Sequence, residues 1–235
     1  MFVTVCHLEL HDFLFYASRE LGRLYETEKY LHNYGLTYAL GLVKAPYANL
    51  TQVPRYQQDL QVLNEQGVYV TPAYPLRWSF AFSTFKMANA NYYGFTPQES
   101  SNRVVFGRAK ELAPQSVFEF FVLSESQIVL PRWIRLGKWM AKARVVVEAK
   151  EHARLKQGNY QAVGALNPLD LEQSPENCNI VAMAPASLIT HAYCSGEYYD
   201  LSQEGDKSAP TINRGATGLP AGMSYQPERN RRLLA

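Results

Sequence analysis

The sequence predicts an α+β fold built around an antiparallel β-sheet. An N-terminal strand pattern is followed by a helical pattern, and several further strand patterns come after it at irregular spacing. Long insertions separate these segments. With 235 residues, of which 47% are hydrophobic, the chain is long enough to bury roughly 70% of its unfolded surface. A folded domain with a substantial core is therefore expected.

The first strand and the first helix are predicted within the N-terminal 45 residues. Residues 1–10 alternate, imperfectly, between apolar and polar side chains, which is typical of a strand. A helical pattern predicts a helix from about Thr27 to about Val43. Thr27 is a suitable N-cap residue, and Pro46 would prevent the helix from continuing.

The middle of the chain predicts a short helix and several strands. Residues 56–66 favour the helix, and 68–71 favour a short strand after it. Alternation is strong over 78–87 and predicts a longer strand, and 117–123 predict another. Between these strands, residues 88–113 lack sustained periodicity and are interpreted as a protruding hairpin.

The C-terminal half predicts more strands and then a tail. Residues 132–147 end in β-branched side chains, which favours a strand after a glycine turn. Further strand patterns lie in 178–193. Residues 202–235 are rich in Gly, Pro and Ser, so we expect a single domain over 1–201 followed by a C-terminal tail.

Cysteine usage and hydropathy predict a soluble cytoplasmic protein. Cys6, Cys178 and Cys194 are widely spaced and form no Cys-x-x-Cys pair, which argues against disulfides and against a cysteine zinc site. The N-terminus lacks a signal-peptide pattern, and no stretch of 18 apolar residues occurs. The histidines show no metal-ligand spacing and no phosphate-binding glycine motif is present, so no metal and no cofactor is expected.

The charge of this protein is unevenly distributed along the chain. The formal net charge of +2 divides into −1 for residues 1–100, +6 for residues 101–156 and −3 for residues 157–235. A basic region of this kind predicts a localised contact with a polyanion.

A basic and aromatic block at 132–144 is the strongest sign of that contact. Its five cations have no acidic residue among them. A strand after Gly137 would place Lys138, Lys142 and Arg144 on one face, and a helix would align Arg135, Lys138 and Lys142, so either structure gives a row of cations. Glycine allows a backbone approach that a side chain would obstruct. The candidate RNA-binding residues here are Arg132, Arg135, Gly137, Lys138, Trp139, Lys142 and Arg144. The alternative is a solvated basic face whose tryptophans pack into the core.

A second group of basic, aromatic and polar side chains precedes and opens the predicted first helix. The amide donors of a helix N-terminus near Thr27 would suit a phosphate, although Glu26 and Glu28 compete for the same position. In the alternative interpretation, the tyrosines belong to the core and the charges form local ion pairs. The candidate RNA-binding residues in this group are Arg19, Arg23, Lys29, Tyr30, His32 and Asn33.

The same region carries a resemblance to a known family. The segment Gly22-Arg23-Leu24-Tyr25-Glu26-Thr27-Glu28-Lys29-Tyr30-Leu31-His32-Asn33-Tyr34, with its flanks at 11–15 and 38–42, resembles the Csc-one branch of the Cas-five family. Residues 132–145 and 219–223 resemble that branch as well.

The resemblance implies a fold, a function and partners. The fold would be a ferredoxin-like core of the RNA-recognition type (βαββαβ, RAMP superfamily), with an inserted hairpin thumb, placed here at 88–113, and additional C-terminal strands. The function would be non-catalytic binding of the 5′ handle of the guide RNA (crRNA) in a type I-D CRISPR surveillance complex (Cascade). The partners would be the crRNA, the backbone and large subunits, and nearby target DNA. The block at 132–144 would be the glycine-containing loop that contacts the RNA backbone.

Two other functions remain open from the sequence. A metal-independent endoribonuclease that processes precursor crRNA needs a base, an acid and a cation, which His11 or His32 could form with Tyr30 and Lys138. In the type I-D group, the resemblance implies that a separate subunit makes that cut. A purely structural bridge would assemble with proteins and make no contact with RNA.

Overall fold

The computed structural model describes residues 1–44, 55–86, 106–201 and 216–228. These residues form a mostly β structure with three sheets and two short α-helices, α1 (Asn33–Ala39) and α2 (Tyr56–Glu65). The strands are β1 (Phe2–Leu10), β2 (Arg19–Leu21), β3 (Leu24–Glu26), β4 (Val68–Val70), β5 (Tyr74–Arg77), β6 (Phe80–Lys86), β7 (Phe106–Leu112), β8 (Val117–Ser124), β9 (Trp133–Leu136), β10 (Ala141–His152), β11 (Arg154–Ala162), β12 (Ala165–Leu166), β13 (Asn177–Val181), β14 (Leu188–Asp200) and β15 (Thr217–Pro220).

The main sheet has the strand order β4-β8-β1-β10-β9, and β5 also pairs with β8. Every pairing in it is antiparallel, so β1 lies at the centre between two antiparallel neighbours. β9 and the first half of β10 alternate between buried residues on one face and half-buried or exposed residues on the other. β4 and the second half of β8 are buried on both faces. Toward its β9–β10 edge, one face of the sheet is therefore covered and the other is open.

The two helices belong to the covered side of the main sheet. Helix α1 packs near β9 and β4, and α2 packs near β4. Their buried leucines, Leu36 and Leu60, share one hydrophobic cluster with Leu8 of β1 and Phe118 of β8. This cluster is the principal core of the described chain.

Two smaller sheets flank this core. The C-terminal sheet has the order β11-β15-β14-β12, with β13 also paired to β14. The small sheet has the order β2-β3-β7-β6, and its β3–β7 pairing is parallel. Each sheet contains a long-range pairing, so neither could form from a local hairpin alone.

A buried carboxylate, Asp170, joins the main core to the C-terminal sheet. It lies at the end of the short 3-10 turn Pro168–Asp170 that follows β12, and none of its surface is exposed. Its oxygens accept hydrogen bonds over 2.8–3.0 Å from five donors: Asn33 Nδ2, Tyr34 Oη, Tyr69 Oη, Asn167 Nδ2 and the backbone N–H of Gln226. We call this set the Asp170 hub. Burial raises the pKa of Asp170 to about 6, and the donated hydrogen bonds partly oppose that rise.

Tyr225 extends the hub toward the helices. Its hydroxyl accepts a hydrogen bond from the backbone N–H of Val70 at 2.9 Å and shares another with the Thr37 hydroxyl at 2.8 Å. The Tyr225 ring is 4.9 Å from the Tyr69 ring, centroid to centroid. A residue near the C-terminus thus links β4 and α1.

Most of the predicted strands are present. The antiparallel sheet is confirmed, with β1, β6, β8 and the β9–β10 hairpin close to their predicted positions, and the predicted helix at 56–66 is α2. The C-terminal strands are also present. The finer ferredoxin-like core is not confirmed, because both α-helices lie between β3 and β4 in the chain, and the described segment between β8 and β10 lacks the second helix of such a core.

The prediction of a helix from Thr27 to Val43 was wrong at both ends. The chain over 24–26 forms β3, which pairs with the distant β7, and the backbone N–H of Thr27 donates to the carbonyl of Lys110. The Thr27 hydroxyl bonds to the backbone of Tyr16 and does not cap a helix. His32 is the N-cap of α1 instead.

The helix also ends earlier than expected. Gly41 adopts a positive φ of 71°, and its N–H donates to the carbonyl of Tyr38. This left-handed conformation, which glycine tolerates without strain, ends the helix before Val43. Pro46, the predicted stop, lies outside the described residues.

The predicted hairpin and tail are described only in part. Most of the hairpin at 88–113 lies outside the described residues, although β6 and β7 on either side pair as antiparallel strands. Of the predicted tail, residues 216–228 contribute β15 and Tyr225 to the fold.

The raised pKa of Asp170 predicts a pH-dependent contribution to stability. The folded protein holds this proton more tightly than the unfolded chain, so the contribution is complete below pH 3.8 and is lost as the pH rises through about 6. The difference in unfolding free energy between the wild type and Asp170→Asn should be about 3 kcal/mol smaller at pH 7 than at pH 4, measured by urea unfolding. The substitution Asp12→Asn, at an exposed residue, is the control. If the difference in unfolding free energy between the wild type and Asp170→Asn stays constant with pH, the prediction is contradicted.

Loss of the Tyr225 hydroxyl should destabilise the fold. Tyr225→Phe leaves the buried N–H of Val70 without its acceptor, which should lower the unfolding free energy by about 1–3 kcal/mol. Tyr193 is 46% exposed and supplies a matched control, since Tyr193→Phe should change stability by no more than about 0.5 kcal/mol. Equal losses in the two variants would show that the hydrogen bonds of Tyr225 contribute little.

Candidate nucleic-acid interface

The basic block forms a β-hairpin at the edge of the main sheet. In the register of β9 with β10, Trp133 lies opposite Arg144 and Arg135 lies opposite Lys142. The intervening residues, Ile134 and Leu136 on β9 and Ala141 and Ala143 on β10, are buried. Alternation therefore places one tryptophan and three cations together on the open face of the sheet, which we call the hairpin face.

Cations and rings are in direct contact on the hairpin face. The Lys142 ammonium lies 4.2 Å from the centroid of the Trp133 ring, within the range of a cation–π interaction. On another side, the His11 ring meets Trp133 edge-on at 5.0 Å. Trp133 remains 43% exposed. The hairpin face thus presents an ordered aromatic ring and a positive charge side by side.

The turn of the hairpin is fixed against the segment that follows β1. Gly137 has a φ of 78°, and a Cβ at this position would lie 2.5 Å from Leu14 Cδ1 and 2.8 Å from the carbonyl oxygen of Phe15. The N–H of Lys138 donates to that same oxygen at 2.8 Å. Trp139 stacks on Phe15 at 4.4 Å, although it is half exposed. Packing inside the protein therefore accounts for the glycine without any contact to RNA.

The cations of the block have few carboxylate partners. Arg135 lies 4.0 Å from Asp12, and both side chains are more than half exposed, so this ion pair is weak. In the described parts of the chain, no ion pair engages Arg132, Lys138, Lys142 or Arg144. The charge of the hairpin face is therefore largely available to an external anion.

Carboxylates and histidines occupy the middle of the same sheet. The imidazole of His7 lies between Glu148 and Glu119, at 3.1 and 3.5 Å, and His11 lies 3.8 Å from Glu9. The positive potential is thus confined to the edge of the sheet at β9. No local pattern in the sequence predicts this arrangement, because the two glutamates around His7 come from distant strands.

The second group of candidate residues is not one surface. Arg19 pairs with Glu26 and Glu28 at 3.1 and 3.2 Å, and the Lys29 ammonium lies 4.6 Å from the centroid of the Trp78 ring. Arg23 is exposed in the turn between β2 and β3. Arg19 therefore forms the local ion pairs that the alternative interpretation predicts.

Three members of that group lie inside the protein, which corrects their expected place on the surface. Tyr30 is 7% exposed and meets the Tyr74 ring edge-on. Asn33 is fully buried in the Asp170 hub. His32 is 7% exposed, and burial lowers its pKa to about 3. The helix N-terminus expected near Thr27 as a phosphate site is absent from the described residues, since β3 and an extended segment occupy that region.

A cavity of about 260 Å³ lies between His32 and the hairpin turn. Its walls come from five separate segments of the chain, so no local pattern in the sequence could have revealed it. The lining residues used below are Tyr16, His32, Gly35, Tyr56, Lys138 and Met183.

The described residues were also compared with the requirements of a metal site, a membrane helix and a ribonuclease site. No group of three or more His, Cys, Asp or Glu side chains that could hold a metal ion is found among them. No helix in the described part of the chain is long and apolar enough to cross a membrane. Of the residues proposed for a ribonuclease, His32 and Lys138 line one cavity, whereas Tyr30 packs on Tyr74 and His11 lies on the hairpin face.

The chain was compared with curated proteins, solved structures and protein families. No curated protein matches the chain. One similar solved structure is described as the cryo-EM structure of the type III-B Cmr-beta bound to cognate target RNA and AMPPnP, state 1. The similarity has a TM-score of 0.47 and 8% sequence identity, and it covers 82% of this chain and 86% of that chain.

A family model gives the decisive match, because it spans residues 1–228 and so includes both the hairpin face and the Asp170 hub. The family is described as type I-D CRISPR-associated protein Cas5/Csc1, the same branch that residues 22–34 resemble. The chain therefore belongs to the Cas5/Csc1 family of type I-D CRISPR-associated proteins.

Proposed function

We propose that this protein is a non-catalytic RNA-binding subunit of a type I-D CRISPR surveillance complex. It grips the 5′ handle of the crRNA and bridges the backbone and large subunits close to the target DNA. The observation that carries this proposal is the hairpin face, where three cations, of which Arg135 alone has a weak ion pair in the described residues, lie beside an ordered tryptophan. Membership of the Cas5/Csc1 family supports the CRISPR context.

Phosphates are the natural ligands of these cations. Arg135 and Lys142 are directly opposite each other across the hairpin, and the exposed Lys138 extends the positive row into the turn. A single strand of RNA that follows this row would release counterions at each phosphate it contacts. Affinity from such contacts depends strongly on salt and weakly on sequence.

The aromatic rings give the same surface a way to hold bases. Trp133 and Trp139 are each exposed over about half of their surface, and contacts with His11 and Phe15 fix their rings. Stacking of an unpaired base on such a ring contributes about 1–3 kcal/mol. Ordered rings beside a cationic row are characteristic of proteins that bind single-stranded RNA.

A metal-independent endoribonuclease is the second candidate. The observation that favours it is the position of His11, which contacts Trp133 on the hairpin face and has Glu9 at 3.8 Å. A histidine–carboxylate pair beside cations could transfer a proton at a bound phosphodiester. His32 suits that role poorly, since its low pKa keeps the imidazole neutral.

Neutralising the hairpin face should weaken RNA binding and its dependence on salt. In the triple variant Arg135→Gln, Lys138→Gln, Lys142→Gln, loss of two to three phosphate contacts should reduce the slope of log affinity against log salt by about 2. Affinity for a repeat-derived 5′-handle RNA at low salt should fall about tenfold or more, measured by fluorescence anisotropy.

The double variant Lys150→Gln, Arg154→Gln provides a matched control. Both residues are exposed and lie beyond the hairpin, at the far end of β10 and the start of β11. This control should bind RNA as the wild type does. If the triple variant keeps the wild-type affinity and salt slope, the hairpin face is not the RNA-binding surface.

The non-catalytic proposal predicts that repeat RNA survives prolonged incubation with the protein. Intact RNA should remain in EDTA, as seen on denaturing gels, under conditions in which the same protein sample binds it. Specific cleavage that disappears in His11→Ala and persists in the control His191→Ala would instead establish the ribonuclease.

A further inference from the structure

We propose that the cavity beside His32 binds one unpaired base of the RNA strand that the hairpin face holds by its phosphates. This inference rests on the proposed RNA-binding function and adds a base-binding subsite to it. Lys138, in the turn between β9 and β10, lines the cavity and so connects it to the hairpin.

The unpartnered donor of His32 is the first argument. His32 Nδ1 accepts a hydrogen bond from the backbone N–H of Tyr34 at 3.2 Å, so this nitrogen carries no proton. Burial lowers the pKa of His32 to about 3 and keeps the ring neutral, which places the proton on Nε2. Nε2 is buried and has no hydrogen-bond partner in the described residues. A buried donor of this kind is costly, and an acceptor atom of a ligand would offset that cost.

The shape and lining of the cavity are the second argument. Its volume of about 260 Å³ is close to the lower end of the range for small-molecule sites, which suits a single base. Tyr16 and Tyr56 offer aromatic surfaces, and Met183 adds an adaptable apolar one. Burial raises the pKa of Tyr16 to about 12, so its phenol also stays neutral. The lining therefore favours an uncharged heteroaromatic ring.

The position of Lys138 indicates what kind of ligand the cavity binds. Lys138 is exposed, lines the cavity and belongs to the turn of the hairpin. A ligand with an uncharged ring inside the cavity and an anionic group beside Lys138 has the chemistry of one nucleotide in an RNA strand. The base carbonyl or ring nitrogen would accept from His32 Nε2, and the phosphate would meet the ammonium.

A backbone contact joins the wall of the cavity to the hairpin turn. The backbone N–H of Lys138 donates a hydrogen bond to the carbonyl of Phe15 at 2.8 Å, so the segment that carries Tyr16 is attached to the turn. Nε2 is covered in the free protein, so entry of the base requires a rearrangement of side chains around the cavity. Binding of the phosphates would thus bring the base to the cavity mouth.

An abasic scan of the RNA tests the proposal on the full chain. Repeat-derived 5′-handle RNAs, each lacking one base, are compared with the intact RNA in binding to the wild-type protein. We expect one position at which loss of the base reduces affinity roughly 5- to 100-fold. Loss of a base that stacks on Trp133 or Trp139 should also reduce affinity. The position that belongs to the cavity is therefore identified by the variants of the cavity wall.

The variant His32→Asn connects that position to the cavity. Asparagine keeps a side-chain acceptor that can cap α1, and its shorter side chain places no donor at the position of Nε2. The variant should lose affinity for intact RNA by a similar factor, and the abasic substitution should then cause no further loss. His191→Asn makes the same exchange at an exposed site in the C-terminal sheet and should behave as the wild type does.

The second variant, Gly35→Ala, narrows the cavity without weakening the helix. A Cβ at residue 35 would lie 3.4 Å from Tyr16 Oη, at the cavity wall, and alanine favours a helix more than glycine does. It should lower affinity for intact RNA several-fold and leave binding of the abasic RNA unchanged.

The outcomes separate this inference from the proposed function. If the wild type binds no RNA, the proposed function fails and the subsite fails with it. If RNA binds with no base-sensitive position, or if that sensitivity persists unchanged in both His32→Asn and Gly35→Ala, the subsite is overturned and the RNA-binding function stands. Tighter, equally position-specific binding of single-stranded DNA of the same sequence would overturn the assignment to RNA.

Discussion

The buried carboxylate of Asp170 is the constraint on which the rest of the structure depends. Its five donors come from α1, β4, the 3-10 turn after β12 and the C-terminal segment. A carboxylate without surface exposure is tolerated only when its hydrogen bonds are complete, so all of these segments must be in place together. The main core and the C-terminal sheet are therefore not independent. The hydrogen bonds of Asp170 determine their relative position, and apolar packing adds to the stability of that arrangement.

The position of α1 follows from this hub and determines the candidate RNA-binding region. Asn33 and Tyr34, at the start of α1, are both donors to Asp170, and His32 immediately precedes them. The imidazole of His32 is therefore held by a network that extends to the opposite end of the chain. On the other side of the cavity, Gly137 holds the hairpin turn against the segment after β1. Two rigid elements thus define the space between them.

Local patterns predicted the strands and the cationic hairpin, whereas long-range contacts decided the rest. Alternation was sufficient for β1 and β9–β10, because their two faces differ in polarity, whereas β8 is a mostly apolar run that is buried on both faces over its second half. The helix from Thr27 failed because β3 pairs with a strand more than 80 residues away. Asn33 resembled a surface residue by its polarity and its basic neighbours. Its burial depends on Asp170, a partner 137 residues distant that no local pattern indicates.

The hairpin face and the cavity represent two physically different ways of holding a strand of RNA. The hairpin face uses exposed cations, whose attraction for phosphate is screened by salt and tolerates any sequence. The cavity uses a neutral donor and aromatic walls, which respond little to salt and only to a base of suitable shape and polarity. Because His32 is neutral throughout the physiological pH range, the second contribution is also insensitive to pH. A subunit that combines them could bind a guide RNA through its backbone and recognise one position of it through the fold that Asp170 holds together.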